Sequence, residues 1–446
     1  MAEHGFAFTA DTFRTLAQET LALAKKGGAT ASEVNVSEGF GLTASVRRGE
    51  IDTLEYNRDK DLSVTVYLGQ RSGNASTSDF SPTALAATVK AALDIARFTA
   101  KDPCAGLADR DRLATVFPDL ELHHAWALGA DEAVELARRT EAAAFAVDGR
   151  IANSEGASVG CQEGHFVFAT SDGFMGGYAS SRHSISCAVI AGEGEGMQRE
   201  GWYDCRRAPA DLDSAEDIGR EAGRRAIARL GARKIPTCRV PVLFAAPAAL
   251  SLIGNFAYAI SGGALYRKTS FLLDTLGQPV FPAHVQIVDD PTIVRGLGSS
   301  AFDNEGVATQ RRELVRDGVL QGYLLSSYSA RKLGMESTGN AGGSHNLLVS
   351  GGGGTLEAML RRMGRGLLVT ELLGSGVNYV TGDYSRGIAG FWVENGEIAW
   401  PVEEVTIAGN LRDMFHNIVA IGDDVLPRSA KRCGPVLIES MKVAGR

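Results

Sequence analysis

From Val240 to Tyr266 the chain runs for 27 residues without one charged side chain. Such a segment must be buried, either in a protein core or in a lipid bilayer, and it is long enough to span one. Pro241, Pro247, Gly254, Asn255, Ser261, Gly262 and Gly263 interrupt it, however. These breaks favour a short buried strand, Val240–Phe244, followed by a helix that starts near Pro247, where proline suits the first turn. No membrane span is expected. The chain must therefore fold around an apolar strand–helix unit placed just beyond its midpoint.

The residues before that unit alternate between helical and strand patterns. Helical spacing marks Thr12–Lys26, Asp79–Phe98, Asp131–Phe145 and Asp213–Leu230, with Ser81-Pro82 and Ser214 as N-terminal signals. Between the first two helices lie short runs of β-formers: Glu33–Val36, Leu42–Arg47, Ile51–Asn57 and Leu62–Leu68. Between the last two lie Ile151–Val159, Gly160–Ser171 and Met175–Ile190. Helix, strands, helix thus occurs twice.

Lys234-Ile235-Pro236 marks a boundary, after which strands and glycine dominate. Two hairpins are well signalled there. Asp317-Gly318 separates Glu313–Arg316 from Val319–Leu325, and Asn395-Gly396 separates Phe391–Glu394 from Glu397–Trp400. The predicted fold class is α+β. An N-terminal α/β part (1–233) contains two helix–antiparallel-sheet–helix units, a possible duplication of 1–115 and 116–233. A mostly antiparallel β domain (234–446) follows. The length of 446 residues suits two or three domains.

With 44% hydrophobic and 22% charged residues, the chain has enough apolar surface to fold, which excludes disorder as its main state. The 45 basic and 53 acidic residues leave a net charge of −8, which argues against direct nucleic-acid binding through phosphate neutralisation. No export signal is read at MAEHGFAFTADTFR, so a cytoplasmic protein is expected. Cys104, Cys161, Cys187, Cys205, Cys238 and Cys433 form no C-x-x-C pair and read as reduced thiols.

Hydrolytic motifs are missing. None of His4, His123, His124, His165, His183, His284, His345 and His416 is followed by glutamate, and no two lie three to five residues apart. A local zinc-hydrolase motif is therefore absent. A site assembled from His284, His345, His416 and Cys433 stays open. There is no G-x-S-x-G elbow and no phosphate loop. Ser329-Ala330-Arg331-Lys332 matches S-x-x-K but reads as an exposed helix. Asp289-Asp290-Pro291 and Asp303-Asn304-Glu305-Gly306 could bind a hard cation, though turn-forming Asx residues explain them better. Gly339–Gly354 holds seven glycines, either for close backbone approach to a ligand or as a flexible surface loop.

One series of motifs resembles a known family. Asp289-Asp290-Pro291, Gly298-Ser299, Phe302–Gly306, Thr309-Gln310, Asp317–Leu320, Gly322–Leu324, Ala330-Arg331 and Ser337–Asn340 are similar to the TldD/PmbA family, also called modulators of DNA gyrase. Glu371–Asn378, Gly382–Gly387, Gly390–Glu397 and Pro401–Asn410 resemble its PmbA (TldE) branch. The resemblance implies a metallopeptidase family. Its TldD members carry H-E-x-x-x-H on a helix, complete a zinc site with a C-terminal cysteine, and pair with a PmbA-type subunit. The corresponding helix here falls within Val240–Tyr266, which has no His, Asp or Glu.

The resemblance therefore implies a non-catalytic subunit that is inactive alone. No catalytic residue, metal ligand or cofactor is assigned to this chain, and Cys433 is left as a remnant or structural thiol. The expected partners are a zinc-bearing TldD-like subunit and small unfolded or extended peptides. Strand edges and Gly343, Ser344, His345 and Asn346 are the candidates to line the peptide or partner cavity. Two other readings remain: a metallopeptidase active by itself through a non-contiguous metal site, and a regulator that binds DNA gyrase.

Overall fold

The computed structural model describes residues 5–445. The N-terminal half forms in the order α1 (Ala10–Lys26), β1 (Ala31–Arg47), β2 (Glu50–Leu68), β3 (Arg71–Thr77) and α2 (Pro82–Phe98). After an irregular connection come α3 (Ala130–Phe145), β4 (Ile151–Thr170), β5 (Met175–Gly176), β6 (Ala179–Ala191), β7 (Gln198–Arg206) and α4 (Ala215–Ala228). All seven strands join one antiparallel sheet in the order β3-β2-β1-β4-β6-β7, with β5 pairing β4. The helices begin where the sequence signals them: the hydroxyls of Ser81 and Ser214 accept the N–H groups of Ala84 and Asp217.

Alternation along β1 explains the layering. Val34, Val36, Leu42, Ala44 and Val46 are buried and point to one face. Under α1 and α2 that face builds one core with Phe13, Leu85 and Val89. Under α3 and α4 it builds a second with Val134, Ile185 and Ile218. The opposite face of β1 carries Glu33, Asn35 and Ser37.

Three strand expectations are corrected. The runs Glu33–Val36 and Leu42–Arg47 are one strand, as are Ile51–Asn57 with Leu62–Leu68, and Ile151–Val159 with Gly160–Ser171. β1 pairs with β2 along its whole length and with β4 along most of it. These ladder hydrogen bonds carry the backbone through polar stretches that read as turns. Conversely, Met175–Ile190 is broken at Gly177, where a Cβ would meet the Phe166 carbonyl oxygen at 2.1 Å.

The C-terminal half contains β8 (Cys238–Phe244), α5 (Ala246–Ala259), α6 (Gly262–Tyr266), β9 (Ile287–Asp290), β10 (Arg312–Arg316), β11 (Val319–Leu320), α7 (Ser327–Leu333), β12 (Asn346–Val349) and α8 (Leu356–Met363). Then follow β13 (Gly366–Leu373), β14 (Asp383–Glu394), β15 (Glu397–Asn410), α9 (Leu411–His416), β16 (Ile418–Ile421), β17 (Lys431–Arg432) and β18 (Val436–Ala444). One sheet runs β15-β14-β13-β8-β18-β16, and β15 also pairs β18 through Thr406–Ala408, so five strands close into a small barrel. Closure removes the free edges an open sheet would leave. The other sheet runs β11-β10-β9-β12-β17. One core cluster joins barrel residues, α5 and the inner face of this second sheet.

Both hairpin turns are present, with Asp317 and Asn395 at positive φ. The second strand of the first hairpin is only Val319–Leu320, shorter than expected. The glycine-rich segment Gly339–Gly354 is not simply a loop: it contains β12, which lies between β9 and β17. The uncharged segment becomes β8, α5 and α6. No helix among the described residues is long and apolar enough to cross a membrane.

Candidate functional site

The place to look first is α5, the helix that the resemblance puts opposite the zinc-binding helix of TldD members. Its buried side chains are Ala246, Ala248, Ala249, Leu252, Ile253, Asn255, Phe256, Ala257 and Ala259. Asn255 is its one buried polar group, and its Oδ1 accepts the Tyr379 hydroxyl at 2.9 Å. β17 packs against α5, and Cys433 follows it directly, 1% exposed within the same apolar cluster. Burial pushes the Cys433 thiol up to about 12. Among the described residues no three His, Cys, Asp or Glu side chains converge as a metal site. His284, His345, His416 and Cys433 are thus not brought together, and His4 lies outside the described residues. All six cysteines are free.

His345 has a defined role. Its Nδ1 lies 3.0 Å from Asp289 Oδ2 and its backbone N–H donates to Asp289 Oδ1 at 2.7 Å. Asn340 Nδ2 donates to the same Asp289 at 2.9 Å, and Arg312 donates to Asn340 Oδ1 at 3.1 Å. Asp289 is 1% exposed, so it is a buried acceptor in β9 and not the turn residue expected from Asp289-Asp290-Pro291. Asp290 does make the turn, accepting the Thr292 N–H at 2.9 Å. Asn346 is fully buried, and its amide is spent on the Gly298 N–H, the Asp290 carbonyl and the Ser299 hydroxyl. Gly343 is exposed and Ser344 half-buried. Of the four cavity candidates, His345 and Asn346 thus fasten the loop onto β9 and the 290–299 segment.

Asp303 is a second fastener. It accepts N–H groups from Glu305, Val307 and Ala341 at 2.9–3.0 Å, and burial pushes its carboxyl up to about 6. The expected turn role of Asp303 is what the structure shows. Ser329, by contrast, is buried in α7, where it forms a capping box with Ser326, while Lys332 bonds Asp102 at 2.9 Å. The S-x-x-K pair is a helix cap and an ion pair, and α7 is not the exposed helix expected.

The irregular chain between α2 and α3 crosses from the N-terminal sheet onto the C-terminal domain. Arg331 donates to the carbonyls of Cys104, Gly106 and Leu107 and pairs with Asp109. Leu113 bridges Val307 in antiparallel fashion. A cavity of about 700 Å³ follows, with Thr115, Val116 and Pro118 on one wall and Thr309, Gln310 and Thr338 on the other. A second, of about 360 Å³, shares Pro118 and Ala301 with it and continues past His123 and Tyr178. Val116 is 74% exposed and Phe117 47%. Among the described residues the N–H groups of Thr115, Val116 and Phe117 have no protein partner. The groove thus presents an extended, unpaired backbone beside exposed apolar side chains. The glycine-rich region contributes Ser337–Gly339 to it. Composition did not single out Thr115–Pro118, although Thr309-Gln310 and Ser337–Gly339 stand among the motifs of the resemblance.

A third cavity, of about 640 Å³, is lined by Tyr67, Asp102, Glu305, Tyr328 and Lys332. Glu33 on β1 is held by burial and by the charge of Glu305, which together push it from its ordinary value of 4.5 up to about 7.

Comparison with known proteins follows the same outline. Three parts of one family match in order: PmbA/TldA metallopeptidase domain 1 over residues 32–96, the central domain over 123–230 and the C-terminal domain over 237–445. The chain is 51% identical over 426 residues to metalloprotease PmbA of Escherichia coli O157:H7, covering 96% of this chain and 94% of that one. Its fold matches a crystal structure from Bacteroides thetaiotaomicron, described as a candidate modulator of DNA gyrase, with a TM-score of 0.93 and 31% identity over 98% of this chain and all of that one. It also matches the fold of TldE from Thermococcus kodakarensis, with a TM-score of 0.84 at 22% identity over 96% of this chain and 99% of that one. The chain belongs to the PmbA/TldD metallopeptidase family.

Proposed function

We propose that this chain is the non-catalytic, PmbA/TldE-type subunit of a cytoplasmic heterodimeric zinc metallopeptidase that processes or degrades small unfolded peptides. The observation that carries the reading is α5. A zinc-bound water needs ligands for the metal and a base for its proton. The buried face of this helix offers apolar side chains and one amide, and among the described residues Cys433 beside it joins no cluster of metal-ligating side chains. Zinc then belongs to a TldD-like sister subunit. The groove from Thr115 to Tyr178 suits an extended peptide, which could add its backbone to the unpaired N–H groups at Thr115–Phe117.

The test is co-expression with a sister chain that carries H-E-x-x-x-H. The two chains are expected to co-purify, and peptide hydrolysis is expected from the pair and not from this chain alone. A chain that never associates with the sister would sink the proposal. The Escherichia coli relative is called a metalloprotease, which favours a second reading in which the chain hydrolyses peptides by itself. Chelator-sensitive turnover by the isolated chain would decide for that reading.

A further inference from the structure

The hairpin joining β1 to β2 turns on Arg48-Gly49, between the paired residues Arg47 and Glu50. Both loop residues have positive φ, 55° and 80°. A two-residue loop of this kind favours Asn-Gly or Asp-Gly, because a short polar side chain tolerates the left-handed region. Asp317-Gly318 and Asn395-Gly396 follow that preference in loops of the same length and nearly the same angles, 51° and 77°, 53° and 78°. At Arg48 a long cationic side chain takes the strained position instead. A strained residue with no local reason for its identity points to a role for its side chain.

That side chain does not hold the turn. Glu141 of α3 accepts the N–H groups of Arg48 and Gly49, each at 2.8 Å, and Arg138 Nε donates to the Gly49 carbonyl at 3.0 Å. Among the described residues the Arg48 guanidinium makes no hydrogen bond or ion pair, and neither do the two terminal nitrogens of Arg138. Both side chains line a cavity of about 500 Å³ between the turn, α3 and the start of β4. Phe145 and Ile151 line it too, and both pack into the core under α3 and α4. Glu141 is the one carboxylate among the described lining residues, and both of its oxygens are taken by the turn. The cavity therefore offers two unpaired guanidiniums beside an apolar floor.

We infer that this cavity binds a small organic anion, with a phosphate or carboxylate head group held by Arg48 and Arg138 and an apolar body against Phe145 and Ile151. A guanidinium presents paired, coplanar N–H donors that match either oxyanion, and such charge-assisted bonds are the strong ones. An apolar wall with a few placed polar groups is the usual make-up of a small-molecule site. Binding then accounts for an arginine where the backbone favours asparagine. The inference is independent of the proposed subunit role.

The experiment titrates the full chain calorimetrically, at neutral pH and low salt, with phenyl phosphate and, separately, benzoate. Inorganic phosphate and benzyl alcohol test the head group and the body alone. The expected result is one organic anion per chain, with the tighter of the two identifying the head group. Inorganic phosphate should bind more weakly and the alcohol not at all. Arg48→Asn and Arg138→Gln should each weaken binding by about tenfold or more, the size of a lost charge-assisted hydrogen bond. Arg48→Asn should at the same time raise Tm, because asparagine suits the turn. Affinity and stability moving in opposite directions separates a binding role from a structural one. Absence of binding of both organic anions by the parent chain overturns the inference, as does unchanged binding in both variants. So does a lower Tm in Arg48→Asn, because the guanidinium would then serve the fold.

Discussion

Asp289 is the residue on which the glycine-rich segment hangs. Its carboxylate serves the side chain and the backbone of His345 and the amide of Asn340. Removing one side of a buried hydrogen-bonded pair costs about 3–5 kcal/mol. Asp289→Ala is therefore expected to lower unfolding stability by about that amount, read by urea denaturation. Cys433→Ala should act differently. It removes a buried sulfur from an apolar cluster, with a cost of about 1 kcal/mol, and should leave peptide hydrolysis by the assembled pair unchanged. Glu33 links stability to pH. Below pH 4.5 folded and unfolded chains both hold its proton; between 4.5 and about 7 the unfolded chain releases it first. Stability should thus fall as pH rises through that window, and Glu33→Gln should flatten the fall, as measured by Tm at several pH values.

At the scale of elements, close approach decides what the sheet can carry. Gly219 of α4 faces α3, where a Cβ would sit 2.0 Å from the Thr140 carbonyl oxygen. Gly219→Val should push the two helices apart and cost about 3 kcal/mol or more in a denaturation curve. The helices were legible because their caps and apolar spacing are local, as at Ser81, Ser214 and the uncharged run that becomes α5. The long strands were not. Arg58–Asp61 looks like a turn, yet β2 runs through it because β1 pairs with every residue there. The candidate site divides in the same way. His345 stood out as a polar residue among glycines. Its partner Asp289 lies 56 positions earlier and meets it only because β9 pairs with β12. The charge of Glu305 acts on Glu33 only once the two domains have docked.

The whole molecule is a one-sided helix–sheet layer joined to a closed five-stranded barrel and a second sheet, with the connection from Asp102 to His123 fastened between them. That connection forms one wall of the groove, so the peptide path proposed here depends on both domains. The barrel brings α5 and Cys433 into one apolar cluster, where a zinc site would need several His, Cys, Asp or Glu ligands. The central claim is that this chain contributes shape and not metal chemistry. The most direct measurement is the zinc content of the chain, expressed alone and purified untagged without a metal-affinity step. Far less than one zinc per chain is expected; one zinc per chain, retained through gel filtration, would show that this chain holds a metal site of its own.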